Sequence, residues 1–243
     1  MVQDHGRSAR SPGALALCCL LVSALPARAE LLVSTPGLSG LGSFKGSFTY
    51  APVDATHATL EVVLTNTSPA ANGGFLTAFV FNNPQDRITG ATLTASNAHF
   101  ALLGAPPFHN GINGASFGHF DLGASTGGSF EGGGNPGGGI GVGQTATFTF
   151  HLTGNALGTL KVSDFFSTLS VPPGDGSGHV AFLARFRGFA HGSDKVPGTD
   201  PPSGPTPASF SAPEPAALTL GGLAALLLPL LALWRRPGNA PPA

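Results

Sequence analysis

Hydrophobic and polar residues alternate over several short stretches in the middle of the chain. The alternation is strict from Thr145 to Leu152, where every second residue is apolar. Side chains of a β-strand point alternately to its two faces, so the apolar residues share one face, which we expect to lie in a core. That face comprises Ala146, Phe148, Phe150 and Leu152.

Similar runs are separated by Gly, Pro and Asn residues, which are typical of turns. They predict strands at Ser43–Tyr50, Ala58–Asn66, Phe75–Phe81, Ile88–Thr94 and His179–Phe189. In the last of these, the alternation places Phe182 in the core and both Arg185 and Arg187 on the solvent side. Because no convincing amphipathic helix accompanies these strands, residues 30–191 are predicted to form an all-β domain, an antiparallel β-sandwich.

Two further stretches are too rich in Gly or Pro to hold regular structure. Residues 123–143 contain a dense run of glycines, which predicts a long, mobile loop between strands. Residues 192–212 are rich in Pro, Ser, Thr and Gly, which predicts an extended and disordered linker. Such a linker would act as a stalk, and its hydroxyl groups would offer attachment points for glycans.

The N-terminal residues have the pattern of a secretory signal peptide. Basic residues precede an apolar run at 13–25, and Ala27 and Ala29 form a small-x-small cleavage site. We therefore predict that residues 1–29 are removed by signal peptidase after Ala29. A lipoprotein signal ending at Cys18 is the alternative, although Leu17 is large where such a signal needs a small residue.

Near the C-terminus, residues 216–234 form a run of 19 residues without a charge. At about 1.5 Å per residue, a helix of this length spans the roughly 30 Å hydrocarbon core of a bilayer. Trp234 would lie at the membrane interface, and Arg235 and Arg236 would keep residues 237–243 in the cytoplasm. The domain that precedes this transmembrane helix is then an ectodomain, outside the cytoplasm.

Pro213, Glu214 and Pro215 stand directly before the apolar run. The order of this tripeptide, the apolar helix and two arginines over residues 213–236 resembles the PEP-CTERM sorting signal of Gram-negative bacteria. The resemblance implies processing by exosortase, a membrane-embedded cysteine transpeptidase, and transfer to the cell surface or matrix. Two prolines enforce an extended backbone, the form that a peptidase cleft accepts. An ordinary membrane anchor behind a Pro-rich linker is the alternative.

The predicted ectodomain is also similar, more loosely, to the sandwich-type domains that precede such tails. This similarity favours the sandwich and implies no catalytic residues. It is carried by the segments Leu64–Ser68, Phe120–Ala124, Gly139–Gly143, Ala184–Phe186 and Gly192–Lys195.

Charge and cysteine content narrow the possible functions. Only 9% of the residues are charged, and the chain has 36 Gly and 22 Pro. Residues 30–212 contain six Lys or Arg and ten Asp or Glu, a net charge of −4. A nucleic-acid partner is therefore not expected, because such partners require a basic surface. Both cysteines, Cys18 and Cys19, lie in the N-terminal apolar run, so the ectodomain is predicted to lack disulfides.

No catalytic, cofactor or metal site is predicted. Gly132–Gly137 has the G-x-G-x-x-G spacing, but Pro136 and the further glycines oppose the helix that a dinucleotide site needs. His99, His109 and His119 recur every ten residues without a carboxylate or cysteine set, so they are interpreted as surface or turn residues. The motif at 175–178 is interpreted as a turn rather than a calcium loop.

An aromatic sugar-binding groove is also not expected. Such grooves use Trp and Tyr rings, whereas this chain has one Trp, Trp234 in the predicted anchor, and one Tyr, Tyr50.

We therefore predict an exported, non-enzymatic surface or extracellular-matrix protein. It would be anchored in the inner membrane with its ectodomain outside, then processed by an exosortase-like transpeptidase and passed to the cell surface or matrix. The alternative is a permanently anchored adhesin or glycan-binding module, and a hydrolase on a sandwich scaffold is a third hypothesis. The predicted partners are the processing enzyme, signal peptidase and the membrane, with exopolysaccharide as a further candidate.

Overall fold

The computed structural model describes residues 28–171 and 179–201. Nearly all regular structure in these residues is antiparallel β-sheet, which confirms the all-β prediction. The strands are β1 (Arg28–Ser34), β2 (Phe44–Pro52), β3 (His57–Asn66), β4 (Gly73–Phe81), β5 (Ile88–Ala95), β6 (Ala101–Leu103), β7 (Ile112–Asn113), β8 (His119–Phe120), β9 (Leu122–Ser125), β10 (Ile140–Gly141), β11 (Thr145–Gly154), β12 (Phe182–Phe189) and β13 (Asp194–Thr199). The helical elements are α1 (Val162–Ser167) and 3₁₀ turns at Pro84–Asp86, Ala115–Phe117, Pro136–Gly138 and Leu157–Thr159.

The six predicted strands correspond to β2, β3, β4, β5, β11 and β12, with bounds that differ by a few residues. The largest difference is at β12, which begins at Phe182 rather than His179. The predicted apolar face of β11 is confirmed, since its four residues are at most 4% exposed. The period-two pattern thus identified both the strands and the side that faces the core.

Eleven strands form one continuous sheet: ten follow the order β5-β11-β3-β2-β1-β13-β12-β4-β9-β6, and β10 pairs with β4 beside this path. We call β5 to β1 in this order the first half and β13 to β6 the second half. They are joined because β1 pairs with β2 along residues 28–33 and with β13 through Val33 and Ser34. The sheets expected to be separate are therefore connected by hydrogen bonds.

The two halves pack against each other through a core rich in phenylalanine. Phe148 of β11 lies 4.7 Å from Phe79 of β4, centroid to centroid, and Phe48 of β2 lies 5.6 Å from Phe81. Both pairs are in edge contact, a geometry that aromatic rings favour. Burial of each such side chain contributes about 1.5–3 kcal/mol. This core holds the two halves of the sheet face to face.

The outer face of the second half is covered by a second hydrophobic cluster. Loop residues Phe117, Phe120 and Phe130 pack there on Leu183 and Val80 of the sheet. The prediction that the Arg side of β12 faces solvent was therefore wrong for much of the strand. Leu183 is fully buried, and the side chain of Arg185 is only 14% exposed. Alternation identifies two faces, but it cannot show that a distant loop covers the outer one.

The glycine-rich segment is shorter and more ordered than the predicted loop at 123–143. Its first residues belong to β9, and Ile140–Gly141 form β10, which pairs with β4. The side chain of Arg187 donates a hydrogen bond to the Gly133 carbonyl oxygen. A Cβ atom on Gly127 would lie 2.3 Å from that same oxygen, so close approach of the backbone requires glycine here.

The predicted linker at 192–212 also begins too early, because β13 occupies Asp194–Thr199. Val196 is buried in the core, and the Asp194 carboxylate accepts hydrogen bonds from the backbone N–H groups of Ser39, Leu41 and Gly42. These contacts fix the strand between β12 and β1. Residues 202–212 lie outside the described part of the chain.

Both ends of the described domain lie on the same side of the sheet. β1 begins at Arg28 and β13 ends at Thr199, and the two strands are antiparallel neighbours. Burial and the nearby carboxylates of Asp200 and Asp164 raise the pKa of Glu30, which reflects this proximity. β13 therefore runs back toward the start of β1 and ends opposite Val33.

Within 28–171 and 179–201, no helix has the length and apolar character needed to cross a membrane. The signal peptide up to Ala27, the tail at 213–243 and its predicted transmembrane helix at 216–234 lie outside the described residues. Those predictions therefore remain predictions.

Candidate functional site

The structure describes only one residue, Ala29, of the predicted sorting motif, membrane-anchor stop signal and signal-peptidase site. It lies in β1 opposite Thr49 of β2, so the predicted signal-peptidase site falls inside a strand. The remaining residues lie outside the described chain: Ala27, Pro213, Glu214, Pro215, Trp234, Arg235 and Arg236.

The candidate binding site is a cavity of about 450 Å³ on the outer face of the first half. Pairing across the strands brings its two histidines together. His151 of β11 lies opposite Thr59 of β3, while His57 of β3 lies opposite Thr153 of β11. Both imidazoles consequently line the cavity on the same side of the sheet. We call this feature the two-histidine cavity.

The floor of the two-histidine cavity depends on the edge strand β5. Gly90 of β5 lies opposite Thr153, and a Cβ atom on Gly90 would come within 2.3 Å of the Thr153 Oγ1 atom. The absence of a side chain at residue 90 therefore leaves room next to the threonine hydroxyl. Thr92, the next outward-facing residue of β5, supplies a further hydroxyl to the lining.

The orientation of His57 is fixed by Asp54. The Nδ1 atom of His57 lies 3.1 Å from both carboxylate oxygens, and the backbone N–H groups of Thr56 and His57 donate to Oδ1 of the same carboxylate. The hydrogen bond from the Thr56 backbone, followed by smaller contributions, lowers the pKa of Asp54 to about 2. Because Nδ1 is engaged, Nε2 is the nitrogen that His57 offers to a ligand.

The lining combines hydroxyl and imidazole groups with an apolar rim. Val53, whose exposure of 73% is high for an apolar residue, and Pro106 stand at the rim beside the threonines. No Lys, Arg, Asp or Glu side chain is among the lining residues. This combination suits a neutral ligand that carries hydroxyl groups on an apolar frame.

Elsewhere in the domain, a hydrogen bond between His109 and Asp86 joins two loops. His109 Nδ1 lies 2.9 Å from Asp86 Oδ1, and that hydrogen bond is the main reason that the pKa of His109 is raised. Asn110 contacts the other ring nitrogen at 2.9 Å. Asp86 and Asn110 both have a positive φ, an uncommon backbone conformation. Because both ring nitrogens have partners, His109 connects the two loops and offers neither nitrogen to a ligand.

Below this pair, the buried Asp121 accepts hydrogen bonds from the backbone N–H groups of Asn83 and Asn110. Burial raises the pKa of Asp121, and these hydrogen bonds oppose the rise. Asp121 thus secures the same two loops from the inside.

The three histidines spaced by ten residues do not converge. His109 pairs with Asp86, the His119 backbone bonds to Val171, and His99 packs beside Gly138. In the described part of the chain, no three His, Cys, Asp or Glu side chains are grouped as metal ligands. The G-x-G-x-x-G segment lies in the glycine-rich loop, and the motif at 175–178 is outside the described residues.

The two-histidine cavity was not anticipated from the sequence. His57 and His151 each occupy an outward position of an alternating strand, which is the only local signal that they share a face. Their proximity depends on the pairing of β3 with β11, which local patterns do not specify.

Comparisons with known proteins found no relative of this chain. No protein-family model matches it, and neither the curated proteins nor the solved structures contain a significant match.

Proposed function

We propose that this chain is an exported, non-enzymatic surface or extracellular-matrix protein that an exosortase-like transpeptidase processes at its C-terminus. The observation that carries the proposal is the order of Pro213–Pro215, the apolar run at 216–234 and the two arginines that follow. The apolar run has the length of a membrane span, and the arginines define its cytoplasmic side. The tripeptide distinguishes a sorting signal from a plain anchor.

In this proposal the β-domain is a sandwich-type ectodomain on a disordered stalk, followed by the transmembrane helix. Support comes from the phenylalanine core between the two halves of the sheet and from the position of the chain ends. The proposed stalk follows β13, a strand that runs back toward the start of β1.

Mass spectrometry of the mature C-terminus tests the proposal directly. The full chain is produced in host cells with and without the sorting enzyme, beside a Glu214→Ala variant and a Glu131→Ala control. We expect Arg235 and Arg236 to be lost from the unmodified and control chains only when the enzyme is present, and to be retained in Glu214→Ala. An intact tail in cells of both kinds would refute processing.

The two-histidine cavity favours a second candidate function, a permanently anchored glycan-binding module. Its hydroxyl and imidazole groups match the hydrogen-bonding groups of a sugar, and its rim offers apolar contact. We expect His151→Ala to weaken binding to a neutral glycan at least tenfold on a glycan array, and the exposed His99→Ala control to leave it unchanged. Equal binding by both variants would reject the cavity as the glycan site.

A further inference from the structure

The sheet has an open edge at β5. This strand pairs with β11 on one side, and the strand order places it at one end of the sheet. It runs for eight residues, Ile88–Ala95, whereas the strand at the opposite end, β6, has three. β5 is therefore the longer of the two strands at the ends of this order.

The hydrogen bonds show which groups of β5 face outward. The Ser96 N–H donates to the Thr147 carbonyl at 2.9 Å, so Ser96 and Thr147 form a hydrogen-bonded pair. In an antiparallel ladder such pairs alternate, which assigns Gly90, Thr92 and Thr94 to bonds with β11. The N–H and C=O groups of the intervening residues point away from the sheet, where no described part of the protein pairs with them. These residues are Ala91, Leu93 and Ala95.

This edge lacks the features by which proteins usually prevent strand pairing. The sequence ITGATLTA contains no charged residue and no proline. Its one irregularity, a register shift opposite Thr153 and Gly154, lies at the beginning of the strand and leaves Gly90–Ala95 regular. Leu93 packs against the core but is only half-buried. A further strand would bond to the open groups and shield this side chain.

We propose that β5 pairs, antiparallel and about a two-fold axis, with β5 of a second copy of this chain. In that register Ala91 lies opposite Leu93 of the second copy, and Thr92 lies opposite Thr92 of the second copy. Each open N–H and C=O of Ala91 and Leu93 then has a partner. A two-fold interface requires only that one patch complement itself, and an uncharged strand does so without like charges meeting.

The residues that flank the strand agree with this pairing. Arg87, directly before β5, would lie opposite Asn97 of the second copy, so the two arginines stay apart. Thr92 and Thr94 are exposed on the outer face, and cross-strand threonine pairs favour antiparallel association. These features make the strand complementary to a second copy of itself.

One pair of strands buries less area than the roughly 1,200 Å² of a stable interface. The pairing therefore acts between chains that are held close together, where tethering to one surface raises their effective concentration. The inference rests on the proposed export and surface tethering but not on C-terminal processing, because an anchored and a processed chain present the same edge.

Cysteine cross-linking in the full-length chain on host cells tests the proposal. The described domain contains no cysteine, and Cys18 and Cys19 lie in the predicted signal peptide, so Thr92→Cys gives the chain that has lost this peptide a single thiol. Opposed residues of a non-hydrogen-bonded antiparallel pair have Cα atoms about 4.5 Å apart, within the range that a disulfide spans. We expect mild oxidation to convert most of the Thr92→Cys chain to a dimer on a non-reducing gel.

Thr145→Cys is the matched control, because Thr145 is also exposed on the outer face but belongs to the interior strand β11. It should give no more dimer than the unmodified chain. Adding Ala91→Pro to Thr92→Cys removes one outward N–H group and should abolish the dimer while protease resistance of the domain is retained. Equal cross-linking of Thr92→Cys and Thr145→Cys would overturn the proposal whatever the proline variant does.

Discussion

The two halves of the sheet share a core but differ in what covers their outer faces. The outer face of the first half is bare and carries threonine side chains, such as Thr147 of β11 and Thr65 of β3. The outer face of the second half lies under the cluster of Phe117, Phe120 and Phe130. Strands with the same alternating pattern therefore have solvent-facing sides in one half and a second core in the other.

Substitutions on the two outer faces should differ most in their effect on stability. Phe120→Ala removes a fully buried ring and leaves a cavity, which should lower the free energy of unfolding by about 3–5 kcal/mol. Thr147→Ala, on the bare face, should lower it by less than about 1 kcal/mol. Urea unfolding of the purified proteins measures both values. Similar losses would show that the faces do not differ as described.

The junction between the halves gives the next largest expected effect. Asp194→Ala deprives the backbone N–H groups of Ser39, Leu41 and Gly42 of their buried acceptor, which should cost about 2–4 kcal/mol. Asp200→Ala, just beyond the end of β13, is the control and should change stability by less than about 0.5 kcal/mol. If Asp194→Ala behaved like this control, Asp194 would not fix the junction.

The smallest expected effect is the change of stability with pH, which has opposite signs for Asp54 and Asp121. Asp54, beside the first half, has its pKa lowered to about 2, so it stabilises the fold above its ordinary pKa of 3.8 and loses that contribution as the pH falls toward 2. Burial raises the pKa of Asp121, so its contribution is present at acid pH and is lost as the pH rises through that raised value.

Carboxyl ¹³C NMR titration checks this difference. The midpoint of Asp54 should fall below 3.8 and that of Asp121 above it. Midpoints for Asp54 and Asp121 on the same side of 3.8 would contradict the described environments.

The strands were predictable where one face alone is buried. Phe148 and Phe150 alternate with exposed or half-exposed residues, and this period identifies β11 without knowledge of its neighbours. The same reasoning failed at Arg185, because Glu131 and Phe130 reach its face from a loop more than fifty residues earlier. Local alternation carries no information about such a cover.

β13 was missed because Pro197 and Gly198 are unfavourable in strands. The structure shows why the proline is tolerated. Its carbonyl oxygen accepts a hydrogen bond from the backbone N–H of Thr35, which lies just beyond the end of β1. An N–H group at Pro197 would point to the same side, where the pairing of β13 with β1 has already ended. The two-histidine cavity was missed for a related reason, since it arises from the pairing of distant strands.

The position of β13 also determines how the domain would respond to mechanical load. If the C-terminal tail is held while flow drags on the domain, the pull runs along β13 toward Thr199. Antiparallel hydrogen bonds lie across the strand direction, so those to β12 and β1 are sheared together rather than unzipped one by one. Under such a load, β13, the last strand of the described residues, would bear the force first.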